Sequence, residues 1–395
     1  MVSFQAARSL LLENVARAAT QRCRIEQAAG RVLREDVTAD RAFPAFDRVM
    51  MDGHALRAAD WQAGTRKFRV TGTTAAGTPQ GELSAEAGTC MEVMTGAPCP
   101  VGADVIIPVE EILENGADEV VFAETAAPIA GRFIHRTGSD AAAGELLLKA
   151  GCRLGSREIG VAASCGYAWL EVAELPKIAV IATGDELVAV DEQPAPHQIR
   201  QSNAHSLAAA LDQAGYAPRL VRVLGDEIDA ARPVMETLLA DHDWIILTGA
   251  VSKGGRDFVP ELLEWSGAKK LFHGVFQRPG KPAGCWIGPS GQVIVALPGN
   301  PVAALTGLHT LVIPALAKAA GLDTSAGRRV VLAENVGQLD KFTHHLPVRL
   351  RDDGRAEAAV TGNSGDFIGL LRSDGFVTLP PRGETCTAAP FIPWL

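Results

Sequence analysis

No two cysteines in this chain stand in C-x-x-C spacing, and no Cys/His grouping has the spacing of a zinc site. The seven cysteines, Cys23, Cys90, Cys99, Cys152, Cys165, Cys285 and Cys386, are odd in number and scattered. That distribution argues against a disulfide framework and leads us to expect a reduced, cytoplasmic protein. Positive charge is short as well. The formal net charge is -9, so there is no global field to draw in nucleic acid or an acidic membrane, and an anionic ligand must be held by local donors. No apolar run approaches the ~20 residues needed to span a bilayer. The amphipathic start, Met1 to Ala19, is broken by Arg8, Glu13 and Arg17 and is too polar for a signal-peptide core. The Walker A loop, the dinucleotide fingerprint and the G-x-S-x-G elbow are missing, and there is no fixed-period repeat or low-complexity segment.

The 395 residues favour two to four domains. Phe4 to Ala19 has the periodicity of an amphipathic helix, and Asp47-Arg-Val-Met-Met-Asp-Gly-His54 reads as a loop. From about 66 to 135, short β-like runs (Lys67 to Thr71, Cys90 to Thr95, Asp104 to Val109, Glu119 to Ala123) alternate with Gly and Pro, the rhythm of a small β barrel or sandwich. Between Lys177 and Pro301 one grammar recurs: an apolar run, a small polar loop, then a helix-like segment. The runs Ile178 to Ala182, Trp244 to Leu247 and Val293 to Ala296 lead into Thr183-Gly-Asp-Glu-Leu187, Thr248 to Asp257 and Leu297-Pro-Gly-Asn-Pro301. Helices are expected from Ser202 or Asn203 to Ala214, over Ile228 to Asp241, and over Val302 to Ala320, with a strand at Arg219 to Leu224. After Gly321 short strands return at Arg329 to Val336, Leu346 to Arg351, Ala356 to Val360 and Gly375 to Leu379. Asp352-Asp353-Gly354 is suited to a hairpin turn.

In an open parallel sheet ligands bind beyond the carboxyl ends of the strands, so the three loops should meet on one edge. Thr248 to Asp257 carries Gly249, Gly254 and Gly255, a hydroxyl at Ser252 and a charge at Lys253, ahead of a helix N-terminus. It reads equally as a phosphate cradle and as a turn whose glycines serve geometry alone. Asp185 and Glu186 follow the first strand, Asp226 the second and Asp257 the third. Each acid alone is most simply a first-turn residue favoured by the helix dipole. Gathered on one edge beside a phosphate, they would repel it unless a divalent cation such as Mg²⁺ lay between. Arg278-Pro-Gly-Lys-Pro282 sets two cations around a rigid turn, which alone reads as an exposed, solvated turn. His344-His345 reads as solvated.

Taken in order, Met51-Asp-Gly-His54, Met94-Thr-Gly-Ala97, Thr183-Gly-Asp-Glu-Leu187, Thr248 to Asp257, Arg278-Pro-Gly-Lys-Pro282, Leu297-Pro-Gly-Asn-Pro301 and Asn363-Ser-Gly-Asp-Phe367 resemble the molybdopterin molybdotransferase family, the MoeA proteins and the equivalent domain of gephyrin. The resemblance implies a multidomain α/β protein: an N-terminal linker and dimerisation domain (1–50 and 136–172), an inserted β-rich domain (51–135), a central three-layer α/β molybdopterin-binding domain (173–320) and a C-terminal β-barrel domain (321–395). It implies a homodimer with a site shared between subunits, and a Mg²⁺-dependent reaction that converts adenylylated molybdopterin and molybdate into molybdenum cofactor and AMP. It further implies molybdopterin adenylyltransferase and molybdoenzymes as partners. By motif, Asp52, Thr95, Asp140, Glu186, Asp226 and Asp257 resemble the family's active-site polar set, with Glu186, Asp226 and Asp257 as metal ligands. Thr183, Gly184, Asp185, Gly249, Ser252, Gly254, Arg278, Lys281, Pro298, Asn300 and Pro301 resemble its substrate-binding positions. Ala250 stands where a second Gly is usual, His54 where Tyr is usual, and Arg278 where Lys is usual. The rival readings are a related adenylyltransferase and a divergent paralogue that acts as a cofactor-binding scaffold.

Overall fold

A computed structural model of the chain describes residues 1–116, 118–249, 258–322, 327–334, 336–359, 363, 365–382 and 388–395. They form two compact units. One comprises Met1–Glu35, Gly151–Gly155 and Trp169–Leu395, and the other Asp36–Ala150 with Ser156–Ala168.

The first unit is built on a six-stranded sheet in the order Leu220–Leu224, Ile178–Thr183, Trp244–Thr248, Val293–Leu297, Gly284–Ile287, Lys269–His273. The first four strands are parallel and the last two antiparallel. Ile178–Thr183, Trp244–Thr248 and Val293–Leu297 are buried at every residue, as expected when helices cover both faces of a sheet. Successive side chains point to opposite faces. Ile178, Val180 and Ala182 pack with Leu207 and Leu211 of the helix Asn203–Gln213 and with Phe4 and Leu11 of the helix Phe4–Asn14. Ala179 and Ile181 pack with Met235 and Leu238 of Ile228–Asp241 and with Leu262 of Val259–Trp265. Each fully buried aliphatic side chain contributes about 1.5–3 kcal/mol, so the two apolar layers fix the sheet between its helices.

The helical stretch Pro301–Ala320 is 20 residues long with a mean hydropathy of 1.5. The expectation that no apolar run reaches membrane-spanning length therefore fails here. Its apolarity serves the interior, since 83% of the stretch's apolar window is buried. A single π-turn, Leu308–Val312, interrupts it.

A second, mixed sheet runs Val2–Ser3, Val275–Arg278, Thr343–Leu350, Gly375–Leu379, Ala389–Pro393, Arg329–Val330, with Ala356–Ala358 beside Thr343–Leu350. A bridge between Leu332 and Ala356 leads back to Ala356–Ala358 and so to Thr343–Leu350, around Val348, Val377, Leu379 and Phe391. The strand expected over Arg329 to Val336 is confined to Arg329–Val330. The Asp352–Gly354 turn forms, with Gly354 at a φ of 80°. His344 and His345 are not solvated as expected. Alternation along Thr343–Leu350 turns His345 inward, where it is 1% exposed.

The second unit holds one mixed six-stranded sheet in the order Val105–Pro108, Gly53–Leu56, Thr89–Val93, Lys67–Thr74, Glu119–Phe122, Ile112–Asn115. The expected strands are present, but their order does not close on itself among the described residues, so they make a single sheet and not a barrel. Gly53 and His54, expected at the end of a loop, open an inner strand, Gly53–Leu56, with all four residues buried. Sterics explain the glycine: a Cβ at Gly53 would collide with the Ile107 carbonyl. The core gathers Leu56, Phe68, Val105, Ile107 and Phe122, and His54, 3% exposed, stands edge-on to Phe122.

Burial pushes the imidazoles of His309 and His345 down, the latter to about 3. In the unfolded chain each would titrate near ~6.5. Below that pH the unfolded state binds protons that the folded state excludes, so stability falls with pH, by about 1.4 kcal/mol per pH unit from a single such histidine. Thermal unfolding between pH 7 and 5 should show a falling midpoint, and His345→Gln should flatten that dependence.

Candidate active site

The register of the parallel strands brings their carboxyl ends level. Thr183 lies opposite Leu224, Ala182 opposite Thr248, and Thr248 opposite Leu297. The backbone then turns sharply at two glycines. Gly184 has a φ of 147° and Gly249 a φ of 105°, conformations that favour glycine. Gly249 N donates to Leu297 O at 3.2 Å. A Cβ on Gly249 would overlap the Thr183 carbonyl and lie 2.6 Å from Thr183 Oγ1, so two strand ends touch through bare backbone.

Around that contact sits a small polar cluster. Asn203 Nδ2 donates to Gly299 O at 2.7 Å and to Thr248 Oγ1 at 3.2 Å, and Thr248 Oγ1 donates to Pro298 O at 3.1 Å. Pro301 opens the next helix at its first turn, with Ala304 N bonded to Asn300 O. Among the described residues, Thr183 Oγ1 and Asn203 Oδ1 are buried without a hydrogen-bond partner, and Thr183 is only 5% exposed. A buried polar atom left unpaired costs about 1–3 kcal/mol, so these two atoms suit a polar ligand. Asn203 had been read only as a helix cap; its side chain instead ties the second loop to the third. The amide identity carried no signal of this, since its partners are a backbone carbonyl and a hydroxyl distant in sequence.

The acids occupy the same edge. Asp226 N donates to Asp185 Oδ1 at 2.9 Å, joining the loops that follow Ile178–Thr183 and Leu220–Leu224. The Glu186 carboxylate folds back over Gly184, where a Cβ would come within 2.7 Å of it. Arg278 ends the strand Val275–Arg278 and Lys281 follows in the turn, both exposed. That turn packs toward the helix after Pro298: a Cβ at Gly280 would lie 3.7 Å from Ala303 O. Ser252, Gly254 and Asp257 lie outside the described residues, as does the rest of 250–257.

In the other unit, Asp52 and Thr95 meet. Asp52 Oδ1 accepts from Thr95 N at 2.6 Å and from Thr95 Oγ1 at 2.7 Å. Those two donors, the backbone one foremost, hold the Asp52 carboxyl below the ordinary carboxylate range. Asp140 has different partners. Its Oδ1 pairs with His135 Nε2 at 2.7 Å, and His135 Nδ1 faces Arg48 Nη2 at 3.1 Å. His135 was not singled out in the sequence; the pairing of Ile134–His135 with Arg48–Val49 is what brings it there.

An open, mainly parallel sheet with acids, glycine turns and unpaired polar atoms at its carboxyl edge is the architecture of an α/β ligand-binding protein. Residues 179–318 match the family model described as a probable molybdopterin binding domain, and residues 2–166 match the MoeA N-terminal region, domains I and II. A molybdopterin molybdenumtransferase of Synechocystis is 35% identical over 379 residues, 94% of each chain. Another from Bacillus subtilis is 31% identical over 368 residues, covering 90% of this chain and 85% of its own. The crystal structure of a molybdopterin biosynthesis MoeA protein from Pyrococcus horikoshii superposes with a TM-score of 0.77 at 25% identity, covering 99% of this chain and 98% of its own. The chain belongs to the MoeA family of molybdopterin molybdenumtransferases.

Thr95→Ala keeps the backbone donor to Asp52 and removes the hydroxyl. The Asp52 pKa should therefore rise toward the ordinary value near ~3.9, so that the carboxylate protonates earlier as the pH falls. Titration of side-chain carboxyl carbons by NMR reads this directly, and an unchanged Asp52 curve would show that the hydroxyl contributes nothing.

Proposed function

We propose that this protein transfers molybdenum from molybdate into adenylylated molybdopterin, releasing AMP and molybdenum cofactor. The observation that carries the reading is the carboxyl edge of the parallel strands, where Thr183, Asp185, Glu186, Asp226, Gly249 and Pro298 are assembled. It stands within a chain whose relatives are named molybdopterin molybdenumtransferases along nearly their whole length. Thr183 Oγ1 can donate to an anionic group of the substrate, and Asn203 Oδ1 can accept from an N–H such as the pterin offers, so both buried atoms gain partners. Arg278 and Lys281 supply the cations that a tetrahedral oxyanion requires, in a chain whose net charge would otherwise repel it.

Magnesium fits this donor set by chemistry. Mg²⁺ prefers hard oxygen ligands and is commonly held by one or two carboxylates together with substrate phosphates. Among the described residues no three His, Cys, Asp or Glu side chains converge as a metal group. Glu186 and Asp226 would thus hold the ion jointly with the substrate, with Asp257 as the further ligand implied by motif. When bound, the ion would offset the charge of the phosphoanhydride. Glu186 and Asp226 would orient the substrate's phosphates only through that shared ion, and Pro298 and Asn300 would wall the edge.

The reading extends to a homodimer of four-domain chains with a composite site, in which Asp52, Thr95 and Asp140 of one subunit serve the strand edge of the other. It also extends to exchange of pterin and cofactor with an adenylyltransferase and with molybdoenzymes. A cytoplasmic setting is supported by the odd number and scattered placement of the seven cysteines. A purely scaffolding role has no observation in its favour.

Purified protein given adenylylated molybdopterin, molybdate and Mg²⁺ should form molybdenum cofactor and AMP. Asp226→Ala should lower that rate by roughly a hundredfold or more with little change in thermal unfolding, and an unaffected rate would remove Asp226 from the site. Mixing Asp52→Ala with Asp226→Ala subunits should restore about a quarter of wild-type activity, because half the dimers then carry one intact site of two. Absence of rescue despite demonstrated exchange would place the site within one chain.

A further inference from the structure

The turn that carries Arg278 and Lys281 is joined to the interior by a chain of side-chain hydrogen bonds. Gln277, 1% exposed, directly precedes the turn. Its Nε2 donates to Gly280 O at 3.0 Å, and its Oε1 faces His345 Nε2 at 3.4 Å. His345 Nδ1 in turn lies 3.0 Å from Thr378 Oγ1. For a neutral imidazole, only one set of proton positions satisfies all three contacts. Gln277 commits its N–H to Gly280, so its oxygen needs a donor, and that donor is His345 Nε2–H. The neutral ring then has its lone pair on Nδ1, which accepts from the Thr378 hydroxyl.

The surroundings keep the imidazole neutral and still. Phe4 stands edge-on at 4.7 Å and Phe376 at 5.9 Å between ring centroids, and burial holds its pKa far below the ordinary histidine value. Gly280 is packed closely enough that a Cβ there would come within 2.7 Å of Gln277 Nε2. The pairing of Gln277 with Thr343 and Arg278 with His344 fixes the same strand end from its other side. Gln277 and Gly280 of the turn, with His345 and Thr378 from two further strands, thus determine where the two cations stand.

We infer that Gln277 and His345 are positioning residues, whose directed chain from Thr378 to the Gly280 carbonyl sets the Arg278–Lys281 turn for a tetrahedral oxyanion of the molybdate class. This rests on the reading of Arg278 and Lys281 as the anion-holding cations. Gln277→Leu removes two of the chain's three bonds, and His345→Phe keeps the ring packing while removing the relay. His345→Gln retains a donor and an acceptor.

The test is calorimetric binding of molybdate, and its KM and kcat in the transfer reaction, on the full-length protein. Gln277→Leu and His345→Phe should each raise the molybdate KM by about tenfold, the loss of one or two buried hydrogen bonds, while kcat changes by less than about twofold. His345→Gln should stay close to wild type. The Arg278→Ala/Lys281→Ala double variant serves as the reference. If it weakens molybdate binding and Gln277→Leu and His345→Phe do not, the positioning role is overturned while the cation reading survives. If the double variant itself binds molybdate normally, both fall. A readout independent of variant folding is the two-bond ¹H–¹⁵N spectrum of ring-labelled wild-type protein, with the resonance assigned by its loss in His345→Gln. The Nε2–H tautomer is expected, and an Nδ1–H or doubly protonated ring would overturn the proposal.

Discussion

The site depends on the in-register parallel pairing of Ile178–Thr183, Trp244–Thr248 and Val293–Leu297. Because these strands end level, the segments that follow them, spread over more than a hundred residues from first to last, begin at a common edge. A slip of one residue would turn each alternating set of side chains onto the wrong face, moving Ile181 or Ile246 between two differently shaped layers. The apolar burial on both faces therefore fixes more than stability. It determines which residues, Thr183, Gly249 and Pro298 among them, stand at the rim.

At that rim the chemistry is mostly backbone. Gly184 and Gly249 occupy conformations that other residues resist, and their lack of side chains lets the Glu186 carboxylate and the Thr183 carbonyl lie directly against them. Charged groups are then added by short tethers: Asp185 clasps the loop of Asp226, and Glu186 lies back over Gly184. The other unit follows a different plan. Asp52 leads directly into the buried strand Gly53–Leu56, and its carboxylate is held by two donors from Thr95.

The sequence disclosed the strands that are wholly apolar, since a run such as Val293–Leu297 has no other use in a globular chain. The helix Ile228–Asp241 was equally legible from its periodicity. Gly53–Leu56 was hidden because Gly and His are poor strand formers; its place comes from the close approach of Ile107. Ala389–Pro393 was hidden by its prolines, which sit where it pairs with Arg329 and Gly375. His345 read as polar and solvated, yet alternation along a strand buried it. In the site, the glycines and acids were visible as loop residues following strands. Asn203 and His135 were not, because each acts on partners that only the tertiary fold brings near.

The most direct measurement is a crystal structure of the protein with adenylylated molybdopterin. The account predicts that the pterin phosphate and adenylate lie against Thr183–Glu186, Gly249 and Pro298, beyond the carboxyl ends of the parallel strands. Ligand density at the opposite end of the sheet, beside Lys177 and Asp243, with the Thr183–Glu186 loop untouched, would contradict it.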